Sequence, residues 1–267
     1  MSERLDIWLV HHQWSTTRTK AVRLIKNGAI TVNGQLIQRP SYSVKETDQV
    51  TLQSEPDDYH YVSRGALKLV GALSAFIPQG LQSPADRVCL DIGASTGGFT
   101  QVLLENGAHT VLALDVGHDQ LAESLRTDPR VIDLSGCNIR DTHLTTLPAV
   151  PTYFVSDVSF ISLTYVIPVI AQLLQEEAEH HHIDLIPEII LLIKPQFEVG
   201  KGHLGKNGIV VDDTLRQEAI NKVTTCAQHN GFQVYGCQPS PVTGTHGNHE
   251  YLLWLRPSAT LKDQCAQ

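Results

Sequence analysis

The feature that constrains this chain most is residues 88–99, Val-Cys-Leu-Asp-Ile-Gly-Ala-Ser-Thr-Gly-Gly-Phe. An apolar run ends in Asp91, a glycine-rich turn follows from Gly93 to Gly98, and a helix-like segment starts near Phe99. Strand, tight turn and helix N-terminus in that order let backbone approach a nucleotide closely. The spacing is not G-x-G-x-x-G, because Ser95 stands where the second glycine would be, and no Lys-Ser/Thr follows to make a phosphate-gripping loop. An acid leading into a G-x-x-x-G-G turn suits a cofactor without phosphates, whose amino-acid part lies over the turn; S-adenosylmethionine has that chemistry. A second apolar stretch, Val111–Leu114, ends in Asp115, where a carboxylate can accept hydrogen bonds from both ribose hydroxyls. The competing reading is a purely structural glycine turn in another α/β protein, and the paired acids weigh against it.

Around this turn the pattern alternates strand and helix. Strands are expected at about 88–92, 111–115, 130–133, 153–157, 188–194, 232–238 and 250–255. Helices are expected between them, the clearest over 213–230, capped by Asp212 or Asp213 and stopped by Gly231. Residues 61–87 form a helical lead-in. Such alternation predicts an α/β domain over 61–267 with a mostly parallel, doubly wound, Rossmann-like sheet.

The first 52 residues have a different character. They hold seven Lys/Arg against four Asp/Glu, whereas residues 53–267 hold thirteen against twenty-four, so a net charge of −8 hides a basic N-terminal module on an acidic body. Leu5, Trp8 and Leu9 share one helix face. Ser15 or Thr16 can cap a second helix, apolar along Ala21, Val22, Leu24 and Ile25, basic at Arg18, Lys20, Arg23 and Lys26, and ended by Gly28. Ile30 and Val32 lead into Asn33-Gly34, a strong hairpin signal, followed by Leu36 and Ile37, with a further short strand at Val50 and Leu52. Residues 53–60 lack apolar periodicity, contain a proline and read as a linker.

Composition excludes several classes. No apolar run approaches the ~20 residues that span a bilayer. The N-terminus carries acids and no apolar core, so a signal peptide is not expected. Cys89, Cys137, Cys226, Cys237 and Cys265 are scattered and lack a C-x-x-C pair, which argues against structural zinc and disulfides and for a reducing, cytoplasmic setting. His180, His181 and His182 follow Glu176, Glu177 and Glu179; adjacent histidines cannot all face one metal, so this stretch is expected to be a solvated loop, and no metal site is expected.

Four ionisable residues fall where strands end or elements begin: Lys68, Asp157, Lys194 and Glu250. The carboxyl ends of parallel strands form the ligand crevice, so Asp157 and Lys194 share an edge with Asp91 and Asp115. A final antiparallel strand would bring Glu250 to the same edge. Two lysines and two acids around one point suit methylation of an alcohol: the acids orient the ammonium groups and the hydroxyl, and a lysine whose pKa falls can accept the proton. Two unrelated salt bridges are the plain alternative; Lys194, at the end of an apolar strand and before Pro195, is the hardest residue to explain that way.

Residues 3–52, through Leu24-Ile-Lys-Asn-Gly-Ala-Ile-Thr-Val-Asn-Gly34, resemble the S4 RNA-binding domain. Nearly the whole chain resembles the TlyA family, haemolysin-A-like proteins in which an S4 domain precedes an FtsJ-type methyltransferase. That resemblance rests on Val62–Lys68, Asp91–Phe99, Asp157–Leu163, Ile193–Glu198 and Gly247–Glu250. It implies S-adenosylmethionine-dependent 2′-O-methylation of ribosomal RNA, typically at cytidine, with ribosomal RNA or subunits as partners and no membrane. By the same resemblance Lys68, Asp157, Lys194 and Glu250 are the catalytic tetrad. The cofactor would touch Asp91, Gly93, Ala94, Ser95, Thr96, Gly97, Gly98, Phe99, Asp115, Asn138, Ile139 and Asp157, and RNA would meet Arg18, Lys20, Arg23, Lys26, Arg64, Lys201 and Lys206. Glycines at 200, 202, 205 and 208 predict a mobile loop at the mouth of the site. The departures are Ala66, where a second glycine is common, and a polar, His-rich insertion over Glu176–Pro187. A membrane-active haemolysin and a non-catalytic RNA-binding scaffold are the alternatives.

Overall fold

The computed structural model describes residues 2–15, 17–26, 28–52, 60–180, 185–244 and 247–258, with the side chains of residues 20, 23, 179, 180, 201 and 206 outside that description. The chain divides into two compact units, residues 1–60 and 61–267. Residues 53–59 of the expected linker lie outside the described residues.

The first unit holds β1 (Ser2–Arg4), α1 (Leu5–His11), α2 (Arg18–Lys26), β2 (Ile30–Val32), β3 (Gln35–Leu36), β4 (Ser43–Lys45) and β5 (Val50–Leu52). Strands β3-β2-β5 form one antiparallel sheet and β1 pairs with β4. The hairpin turn puts Asn33 at φ 53° and Gly34 at φ 78°, the two left-handed residues that a tight hairpin requires. Helix α2 ends as expected at Gly28: its N–H donates to the Ile25 carbonyl and that of Ala29 to the Leu24 carbonyl, each at 3.1 Å. The expected cap is different. The Ser15 hydroxyl donates to the Thr17 carbonyl at 2.9 Å instead of accepting from the helix, which begins at Arg18; Thr16 lies outside the described residues. Leu5, Leu9, Ala21, Leu24, Ile25, Ile30 and Val32 close a core of their own.

The second unit is built on a seven-stranded sheet of β6 (Val88–Ile92), β7 (Thr110–Asp115), β8 (Val131–Ser135), β9 (Tyr153–Ser156), β10 (Glu188–Ile193), β11 (Phe232–Pro239) and β12 (Tyr251–Pro257), in the order β11-β12-β10-β9-β6-β7-β8. From β10 to β8 all pairs are parallel, and β12 runs antiparallel to both neighbours. Helices α3 (Ala66–Phe76), α4 (Gly98–Glu105), α5 (Glu123–Arg126), α6 (Ile167–His180), α7 (Pro195–Glu198) and α8 (Asp213–His229) complete the unit. The interior strand β10 is buried along its length because both faces are covered: Ile189, Leu191 and Ile193 enter one core, Ile190 and Leu192 the other. Asp212, not Asp213, caps α8 by accepting from the Thr214 N–H at 2.8 Å.

The expectation of a helix between every pair of strands is corrected. The β7–β8 connection carries only the single turn of α5, and the β8–β9 connection carries two 3-10 turns, Ile139–Asp141 and Leu144–Thr146. Those segments are polar, and Pro129 in the first and Pro148 and Pro151 in the second disfavour a continuous helical stripe. The expected solvated loop after Glu176 is corrected in part, because α6 continues to His180; residues 181–184 lie outside the described residues.

Candidate active site

The turn after β6 is shaped by left-handed backbone. Gly93 has φ 84°, Ser95 48° and Gly97 92°. The N–H groups of Gly93 and Ala94 both donate to the Leu114 carbonyl, at 2.8 and 3.1 Å, which fastens the turn to the end of β7. At that end the two oxygens of Asp115 accept from the Ser95 and Gly117 N–H groups, each at 2.8 Å. A side chain at Gly93 would press to 3.2 Å on the Asp157 carbonyl and the Val158 side chain, so glycine keeps the floor of the cleft open. At Gly98 a Cβ would collide with the Ser63 hydroxyl and come within 2.9 Å of the Ala66 nitrogen, which shows how closely the lead-in segment approaches the start of α4.

Strand β6 spans residues 88–92 as expected, and Asp91, its penultimate residue, is wholly buried beneath the turn. Its Oδ2 accepts from the Thr100 hydroxyl at 2.7 Å, while Oδ1 has no hydrogen-bond partner among the described residues. Burial pushes its pKa up to about 7 against the opposing pull of the Thr100 hydrogen bond.

The four ionisable residues Lys68, Asp157, Lys194 and Glu250 do converge. Asp157, just beyond β9, lies between both lysines: Lys68 Nζ is 3.1 Å from its Oδ2 and Lys194 Nζ is 2.7 Å from its Oδ1. Lys68 also meets Glu250 Oε2 at 2.7 Å. Glu250 precedes the antiparallel β12 and therefore reaches the carboxyl edge of the parallel strands. Lys194 donates to the Ser159 hydroxyl at 2.9 Å, and Gln196 Nε2 lies 3.5 Å from Glu250 Oε1. The side chains of Lys68 and Lys194 are 11% and 8% exposed. Burial by itself would lower the pKa of Lys68, but Asp157 and Glu250 outweigh it and hold the pKa above the usual lysine value. Lys68 is thus a fixed cation, poorly suited to accept a proton.

Two adjoining cavities open on this edge. The larger, about 450 Å³, is lined by Ile92, Leu114, Asp115, Asn138, Ile139 and Arg140 among others. The smaller, about 240 Å³, is lined by Ser63, Lys68, Ala94, Thr96, Gly98, Phe99 and Lys194 among others. Gly93, Ser95, Asp157 and Ser159 line both. Of the expected cofactor residues, Asp91 and Gly97 line neither; a Cβ on Gly97 would overlap Leu125 and approach Leu121, so that glycine answers to packing.

Several residues of this edge were not singled out from the sequence. Ser159 accepts from Lys194, and Phe160 is 92% exposed with its backbone at φ 65°. Asn248, 4% exposed, accepts from the Val210 N–H and donates to the Gly208 carbonyl, each at 3.1 Å, tying the glycine-rich loop to the segment that carries Glu250.

The cations expected to meet RNA are less completely placed. In the first unit Arg18 is exposed, and its Nε donates to the buried Asp6 at 2.9 Å; Arg4 donates to the same carboxylate at 3.0 Å. Lys26 and Arg64 are exposed. The side chains of Lys20, Arg23, Lys201 and Lys206 lie outside the described residues.

A mostly parallel sheet with one antiparallel strand, a glycine turn after the interior strand β6 and a lysine–acid cluster on the same edge define a Rossmann-like fold of the methyltransferase class. The chain belongs to the FtsJ-like methyltransferase family, whose pattern matches residues 61–257, and it carries an S4 domain over residues 3–50. It is 42% identical over 253 residues to the 16S/23S rRNA (cytidine-2′-O)-methyltransferase TlyA of Mycobacterium tuberculosis, covering 95% of this chain and 89% of that one. It is 38% identical to Hemolysin A of Brachyspira hyodysenteriae, covering 93% and 98% of the two chains. A solved hemolysin-type structure from Streptococcus thermophilus is 35% identical with a TM-score of 0.71, covering 100% of this chain and 95% of that one.

Proposed function

We propose that this protein transfers a methyl group from S-adenosylmethionine to the 2′-hydroxyl of a cytidine ribose in ribosomal RNA. The observation that carries the proposal is the continuous chain Glu250–Lys68–Asp157–Lys194 beside the cavity lined by the glycine turn. The residues fit the cofactor. The larger cavity, with Asp115, Asn138 and Ile139, would hold the nucleoside, and Gly93 to Phe99 would hold the amino-acid end; the cradle exists because Gly93 has no Cβ. S-adenosylmethionine supplies an electrophilic methyl group on a sulfonium.

The side chains of the chain do the rest. Lys68, kept charged by its two acids, fixes the orientation of Asp157 and Glu250. Asp157 in turn orients Lys194, whose ammonium also bonds Ser159. Lys194 is placed to steer the ribose oxygen or take its proton, holding the hydroxyl in line for transfer. Phe160 offers an exposed aromatic face at the mouth, suited to a base unstacked from RNA.

The first unit holds RNA through Arg18, Lys20, Arg23 and Lys26, with Arg64, Lys201 and Lys206 contacting it near the reacting centre. Residues 53–60 link the two units, and the protein works in the cytoplasm on ribosomal subunits. Among the described residues no helix is long and apolar enough to cross a membrane. The test is methylation of purified ribosomal subunits by the pure protein, with 2′-O-methyl positions mapped across the RNA. Protein-dependent methylation at a cytidine is expected; no transfer to either subunit would overturn the proposal.

A further inference from the structure

Two segments meet at the mouth of the site, and they are joined by more than the lysine. The first is the loop of residues 157–163, which follows β9; the second is Lys194 with the short helix α7, which follows β10. Three contacts pair them in order. Lys194 donates to Ser159 at 2.9 Å. The rings of Phe197 and Phe160 pack 5.2 Å apart. Glu198 then takes both Ser162 and Leu163: its Oε2 accepts from the Ser162 hydroxyl at 2.5 Å and its Oε1 from the Leu163 N–H at 2.8 Å.

The last contact is built deep. The Glu198 side chain is 1% exposed, and Lys222 of α8 lies 3.3 Å from Oε2 while donating to the Glu198 carbonyl at 2.8 Å. A buried carboxylate with every oxygen engaged is costly to assemble unless its geometry is fixed. Between the first and last contacts sits Phe160, a bulky residue in left-handed backbone at φ 65°. Such a conformation persists only where the surroundings over-determine it. Phe160 is 92% exposed and supplies little burial of its own, so the conformation is imposed from the loop's two ends.

We propose that Glu198 is a positioning residue for methyl transfer. By clamping Ser162 and Leu163 it holds the 157–163 loop in the one shape that aligns Asp157 and Ser159 with Lys194 and presents Phe160 to the substrate. Glu198 touches neither cavity, so its effect is transmitted through that loop. The inference rests on the methyltransferase proposal above.

The test compares Glu198→Ala, Ser162→Ala, Phe160→Ala and the Glu198→Ala/Phe160→Ala double variant with wild type. The measurements are single-turnover methylation of ribosomal subunits, calorimetry with S-adenosylmethionine and amide hydrogen exchange. Ser162→Ala removes a single hydroxyl, so it guards against a variant that does not fold. Expected are a tenfold or greater loss of kcat for Glu198→Ala, a threefold or greater loss for Ser162→Ala, and cofactor affinity within twofold of wild type for both. Exchange at residues 158–163 should rise while that of β9 stays unchanged. The double variant should be no slower than the slower single variant, because both changes act through one loop. Wild-type kcat in Ser162→Ala and Glu198→Ala, or losses that multiply in the double variant, would overturn the proposal. If wild type itself transfers no methyl group, the functional proposal fails, and hydrogen exchange alone still decides whether Glu198 holds the loop.

Discussion

Replacing Lys194 separates the chemistry of the site from its binding. Lys194→Ala removes the 2.7 Å ion pair to Asp157 and the 2.9 Å hydrogen bond to Ser159. Asp157 keeps Lys68 at 3.1 Å, so its carboxylate is not left alone in a buried position. Breaking a buried pair costs about 3–5 kcal/mol when a partner is orphaned; with Lys68 retained, the loss of stability should be about 1–3 kcal/mol, and the fold survives. Catalysis fares worse. A positioned group that moves or steers a proton contributes about 10²–10⁴-fold, and kcat should fall by that factor. Affinity for S-adenosylmethionine and RNA should stay close to wild type, because the interaction is realised in the transition state. Lys194→Arg keeps the charge but stays protonated and has a planar head of different reach, so it should fail as well. Single-turnover methylation of ribosomal subunits, with calorimetry for the cofactor, measures both effects. Wild-type turnover by the arginine variant would refute proton transfer to this side chain and move the search to Asp157, Glu250 or water.

Other outcomes follow from the same geometry. Gly93→Val places a branched side chain at φ 84° against the Asp157 carbonyl, and Asp115→Ala removes the acceptor at the end of β7; each should weaken S-adenosylmethionine binding at least tenfold by calorimetry, and unchanged affinity in both would misplace the cofactor. Alanine at Arg18, Lys20 and Arg23 should weaken RNA binding and reduce its salt dependence by roughly one charge per lost phosphate contact, whereas an equal salt slope would make the helix a merely solvated face. Asp91 binds its proton more tightly in the folded state, with its pKa pushed up to about 7, so its contribution to stability is intact at acid pH, declines as pH rises from about 4 to about 7, and is fully lost above that. Three units correspond to at most about 4 kcal/mol. The melting temperature of Asp91→Asn should therefore gain on wild type between pH 5 and pH 8, and a constant difference would contradict a protonated carboxyl.

The sheet and the site were legible to different depths. Strands read well because long apolar runs between glycines and acids allow few other structures, and Asp157, Lys194 and Glu250 announced themselves as charges at the ends of such runs. The bounds of β6 were legible, but the burial of Asp91 was not: the Thr100 hydroxyl that accommodates its carboxylate comes from α4, nine residues on. The lead-in was recognisable as helix, but nothing local says that Lys68 faces two acids 89 and 182 positions further along. Glu198 and Asn248 were hidden more deeply. Their partners include the backbone N–H groups of Leu163 and Val210, and a backbone group leaves no mark on the residue type opposite it.

Of the four clustered ionisable residues only Lys68 stands on a helix outside the sheet, so something must fix that helix. The answer lies in β12, whose antiparallel course gives it Glu250 at one end and Arg256 near the other. At the carboxyl edge of the parallel strands Glu250 holds Lys68, near the start of α3. At the opposite edge Arg256 donates to the Gly80 carbonyl just beyond α3 and pairs with the buried Glu188. Glu188 in turn accepts from the Gln82 N–H at 3.1 Å and from the Trp254 indole at 2.8 Å. Between these anchors Phe76 packs 5.7 Å from Trp254, Gly71 leaves room for Pro241, and Gly236 leaves room for Phe76. Helix α3 is thereby fastened to β12 near both ends and fitted between them against β11 and the segment after it. A helix held this way cannot slide by a turn, about 5.4 Å, without breaking the Glu188 network as well as the Lys68 contacts. The antiparallel strand therefore does two things at once: it carries an acid to the carboxyl edge of the parallel strands, and it sets the position of the lysine which that acid holds.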